Sequence, residues 1–68
     1  MKNENTKTEL SLTEIRAAFR QMTRTGGDFF RNLGLAGLYA DESNRKNLVG
    51  AFGAEIEAYA KKAEEAKR

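Results

Sequence analysis

The feature that most constrains this chain is its punctuation, which marks helices and nothing else. Ser11-Leu12-Thr13-Glu14 has the S-x-x-E form of a capping box. In that motif the serine hydroxyl takes the backbone amide three residues on, and the glutamate carboxylate takes the serine amide in return. Leu12, Ile15, Phe19 and Met22 follow at i, i+3, i+7 and i+10, a single apolar stripe on a helix. The Gly26-Gly27 pair ends that stripe, since glycine adopts the left-handed conformation in which helices commonly terminate. No proline breaks the chain, and the alternating pattern of a strand is missing.

Asp28 reads as the N-cap of a second helix reaching about Ala40. Periodicity gives it an inner face of Phe29, Leu33, Ala36 and Ala40, with Phe30 and Gly37 beside it. Leu35 and Leu38 fall on the far side, because successive residues turn by about 100°. A helix apolar on both sides has to be covered on both, by its own chain and by a second copy or a target. Gly34 and Gly37 leave room for a close backbone approach.

Asp41 caps a third helix, with Glu42 in its first turn, where the helix dipole favours negative charge. Leu48, Phe52, Ile56, Tyr59 and Ala63 share one stripe, which argues for a continuous helix. Gly50 and Gly53 oppose this, each costing about 1 kcal/mol relative to alanine in a helix interior. The balance tips toward a kink or short break near Phe52-Gly53. The expected architecture is an all-α three-helix domain over residues 11–68, preceded by a disordered arm over residues 1–10, polar but for its ends.

At 68 residues such a domain buries little surface and is marginal alone. With no cysteine and no histidine, disulfides and the usual zinc ligands are excluded as staples, which leaves association, and a homodimer is expected. The same absences remove the commonest general base and two common nucleophile arrangements, so neither enzyme nor cofactor is expected. The N-terminus lacks an apolar signal segment and the longest apolar run, Leu33 to Ala40, is too short to span a membrane. A cytoplasmic protein is expected.

Two binding readings remain. Arg16, Arg20 and Arg24 form an i, i+4, i+8 row suited to phosphates, although such rows are usually solvated helix faces. A net charge of +2 is a weak bias, and the second helix lacks the polar cluster needed to reach base edges. Protein binding fits better. Tyr39 combines a large rigid surface with a hydroxyl, the chemistry of a binding hot spot, unless it packs within the fold or a dimer seam. Arg31, Leu35 and Leu38 accompany it on the outward side.

The stretches TEIRAAF and GDFFRNLGLAGLYADESNRKNLVGAFGAEIEAY resemble small proteins from the early regions of Mu-like transposable bacteriophages. They are most similar to the anti-activators that block bacterial quorum sensing. The resemblance covers about two-thirds of the chain, and its motif carries no catalytic group. It implies a helical homodimer acting on host proteins in the bacterial cytoplasm. The implied partners are a LuxR-type transcription factor, kept off DNA, and a pilus-assembly ATPase. By its place in LGLAGLYAD, Tyr39 would be a contact residue. Gly53 departs from the pattern, which has a proline after that phenylalanine.

Overall fold

The computed structural model describes residues 10–67, and all three elements in them are helices: α1 (Leu12–Thr25), α2 (Gly27–Tyr39) and α3 (Glu42–Ala66). Most of the expected arm, residues 1–9, lies outside the described residues, as does Arg68.

Each helix start has a local cause. Ser11 is extended, at φ −72° and ψ 166°, and its capping box is complete. The Glu14 amide donates to Ser11 Oγ at 3.1 Å, and the Ser11 amide donates to Glu14 Oε1 at 2.8 Å. Leu10 does not belong to a solvated arm, because it packs half-buried against the core, as does Ile15. These are the N′ and N4 positions of a hydrophobic staple, which fixes the direction from which the chain enters α1. Asp41 caps α3, its Oδ1 accepting from the Asn44 amide at 2.8 Å.

Asp28 is not the cap of α2. The helix begins at Gly27, whose φ of +74° reverses the chain almost without a loop. Asp28 therefore falls in the first turn, where its carboxylate accepts from Arg31 Nη2 at 2.8 Å.

The helix α1 is the centre of the fold, packing against both α2 and α3, while those two scarcely touch each other. Ala18, Phe19, Met22 and Ile56 are fully buried, with Phe30, Leu33, Leu38, Leu48, Val49, Phe52, Tyr59 and Ala60 packed partly buried against them. The expected stripe of α3 thus faces the core. Its kink falls at Phe52, where φ −124° and ψ 29° leave the helical range.

The orientation of α2 differs from the one periodicity suggests. Gly34 and Gly37 are buried, while Phe29 is 61% exposed and Ala36 is also exposed. Leu38 turns inward, toward the core rather than away from it. The reason is steric. A Cβ at Gly37 would lie on the Phe19 ring, and one at Gly34 would meet the Phe19 carbonyl. The face without side chains is the only one that lets α1 and α2 approach this closely.

These placements give opposite expectations for one substitution. Gly37→Ala drives a methyl into the Phe19 ring and should cost about 1–3 kcal/mol, the range of overpacked cores. Gly50→Ala meets nothing within 4 Å and should instead stabilise by about 1 kcal/mol through helix propensity. Urea denaturation followed by circular dichroism measures both.

Candidate functional site

Turning the glycines inward turns the large side chains of α2 outward. With Gly34 and Gly37 on the inner side, the outer side carries Phe29, Asn32, Leu35, Ala36 and Tyr39. All five are exposed, Leu35 at 42% and Tyr39 at 85%. Three of them are large apolar or aromatic side chains. They sit at spacings of six and four residues, which aligns them within roughly 120° of helix arc. Tyr39 is the last helical residue, just before the chain leaves α2 through the extended Ala40. Its side chain makes no hydrogen bond, ion pair or ring contact with any described residue.

The four residues expected at this site thus separate. Tyr39 and Leu35 are outward and exposed. Arg31 borders them, half-exposed, with its guanidinium engaged by Asp28. That pair is surface-exposed and worth at most ~1 kcal/mol, so a partner could displace it readily. Leu38 belongs to the core and leaves the site. Periodicity placed Phe29 on the inner face, and the structure puts it here instead. It lies about 140° around the helix from Gly34 and about 80° from Gly37, beside the packed face and not within it, a placement that becomes visible once the glycine face is known to be the packed one.

Phe29 also connects this face to α3. Its ring meets Phe30 edge-on at 5.0 Å and lies 6.1 Å from the ring of Phe52, at the kink. Phe30 in turn lies 5.5 Å from the Tyr59 ring. These ring pairs tie the start of α2 to the middle of α3, each worth about 0.5–1.5 kcal/mol beyond its area. Lys62 lies 5.8 Å from the Tyr59 ring centre, at the reach of a cation–π contact. Tyr59 is structural, as its place on the inner stripe suggests.

The arginine row on α1 is not uniform. Arg20 and Arg24 are exposed, but Arg16 is half-buried. None of the three makes an ion pair with a described residue. Among the described residues no helix is long and apolar enough to cross a membrane. Comparison with known protein families, curated proteins and solved structures finds no match to this chain.

Because Tyr39 touches so little of its own chain, Tyr39→Ala should change the unfolding free energy by no more than about 0.5 kcal/mol. Phe19→Ala, at a fully buried position, should cost about 3–5 kcal/mol. Thermal and urea melts of the two variants test whether the Tyr39 end of the α2 face is free of structural duty.

Proposed function

We propose that the chain is a non-catalytic inhibitor that occupies a host regulatory protein through the outward face of α2. The observation that carries this reading is Tyr39, a large aromatic side chain left 85% exposed beside Leu35 and Phe29 on one helix face. An amphipathic helix laid into a groove presents its anchors at such spacings. Aromatic anchors of this kind supply most of the binding energy in many interfaces. Inhibition by occupancy needs only area and shape, and so is within reach of a chain without histidine or cysteine.

The resemblance to phage anti-activators supplies the target class, a LuxR-type transcription activator that is held off its DNA, with a pilus-assembly ATPase as a second partner. It also supplies the homodimer, which agrees with the small core of four fully buried side chains. The other reading, a DNA-binding protein using Arg16, Arg20 and Arg24, has less support. Arg16 is partly withdrawn from the surface, so the three do not form one free row.

The test is a mobility-shift assay with a LuxR-type activator and its operator fragment. Adding the chain in equimolar amounts should abolish the activator's shift. Tyr39→Ala should weaken the effect at least about thirtyfold, the ~2 kcal/mol of a hot spot, while light scattering still reports a dimer. A shift produced by the chain on DNA alone, kept in Tyr39→Ala and lost in Arg20→Gln/Arg24→Gln, would replace this reading with the DNA-binding one.

A further inference from the structure

A second feature lies away from the α2 face, along the other side of α1. Gln21 is the polar residue that the described fold buries, with 8% of its surface exposed. Its Nε2 donates to Thr25 Oγ1 at 3.3 Å, and Thr25 Oγ1 donates to the Gln21 main-chain carbonyl at 3.2 Å. No described group donates to the Gln21 side-chain carbonyl, Oε1. The side chain thus keeps an acceptor that its own described neighbours do not use.

Gln21 lines a groove of about 160 Å³ between α1 and the last turns of α3. Its small walls are Ala17, Ala63 and Ala66, and its charged groups are Arg20, Arg24 and Lys67. Ala17, Arg20, Gln21 and Arg24 stand at i, i+3, i+4 and i+7, one face of a helix. Among the described residues, no acidic side chain lines the groove. The single acid of α1, Glu14, is committed to its capping box. Arg20, Arg24 and Lys67 make no ion pair with a described residue.

We propose that this groove receives an acidic peptide segment of a protein partner. The occupant has to provide two kinds of group side by side: anions for Arg20, Arg24 and Lys67, and a hydrogen-bond donor for Gln21 Oε1. A peptide supplies both, carboxylates from its side chains and an N–H from its backbone. A phosphodiester backbone supplies anions and no donor. The geometry favours the peptide in a second way. The cations flank a concave site of small volume, whereas duplex binding requires an extended convex row, which Arg16 would have to complete. Arg16 does not line the groove. This surface shares no residue with the α2 face, so it neither requires that reading nor fails with it.

Fluorescence anisotropy on the full chain tests the assignment. The probes are a labelled, end-blocked twelve-residue peptide rich in glutamate, its glutamine counterpart, and a single-stranded DNA twelve-mer. The glutamate peptide should bind at least about tenfold more tightly than either control. Arg20→Gln/Arg24→Gln should weaken it at least about tenfold, and Arg16→Gln by less than about twofold. Ala66→Leu, at an exposed position, fills the groove without altering any charge and should also reduce binding. Tyr39→Ala should leave the peptide affinity unchanged. Circular dichroism melts confirm that each variant is folded. The assignment is overturned by any one of three outcomes. The first is DNA binding as tight as that of the peptide. The second is a loss in Arg16→Gln as large as in the double variant, which would indicate a diffuse positive field. The third is folded Ala66→Leu binding like the parent, which would show that the groove is empty of ligand.

Discussion

The contact between the Phe19 ring and the bare backbone of Gly37 fixes more of this molecule than any other. Phe19 is fully buried, and it occupies the space that a side chain at residue 37 would need. Gly34 repeats the arrangement one turn earlier, against the main chain of residue 19. Together they set the rotation of α2 about its own axis. With the glycines turned inward, Phe30, Leu33 and Leu38 flank them at the core, and Phe29, Leu35 and Tyr39 are left outside. The candidate site is thus a consequence of core packing, reached without any separate signal in the residues that compose it.

The same contact explains where sequence reasoning succeeds and where it fails. Local signals are legible because their physics is local. The capping box at Ser11, the cap at Asp41 and the kink at Phe52 each depend on a few neighbouring residues, and each stands where the pattern puts it. The inner face of α2 depends on what α1 brings to it. Hydrophobic periodicity ranks faces by side-chain size and so assigns Phe29 and Ala36 inward. Close helix packing can reverse that ranking, because a buried aromatic on one helix needs an absence of side chain on the other. Leu10 and Asp28 are missed for a simpler reason. Leu10 adjoins the capping box and so stands at its staple position, and Gly27 starts α2 ahead of the residue that looks like its cap.

α3 is held differently. It joins α2 through rings rather than along a shared seam, with Phe29 and Phe30 meeting Phe52 and Tyr59. The first of these meetings lies at the kink. Gly50 and Gly53 flank it, and a Cβ at either would meet nothing. Unlike Gly34 and Gly37, these two glycines are not required by packing inside the chain. Their effect is on the backbone, since they lower the helical preference on both sides of Phe52 and let the helix bend there. The bend carries the apolar stripe of α3 past α1 while keeping Ile56 fully buried. Because the tie to α2 is confined to the start of that helix, its far end, with Leu35 and Tyr39, stays uncovered.

Whether such a face can hold a partner is a matter of magnitudes. Full burial of a large apolar side chain is worth about 1.5–3 kcal/mol, and Phe29, Leu35 and Tyr39 are already partly covered in the free chain. Their combined gain on docking is therefore on the order of 5 kcal/mol, near the low end of the roughly 4–15 kcal/mol that association costs in lost freedom. One α2 face would bind weakly unless the polar rim around Arg31 and Asn32 contributed as well. Homodimerisation changes that balance without adding a new kind of contact. A two-fold particle carries two α2 faces, and a target with matching symmetry engages the second at the effective concentration set by the first. The dimer in the proposed function has to form through surface other than the outer face of α2, since Phe29, Leu35 and Tyr39 are most of the large apolar side chains left exposed and are the anchors. Built that way, it would turn two weak anchoring faces into one tight clamp.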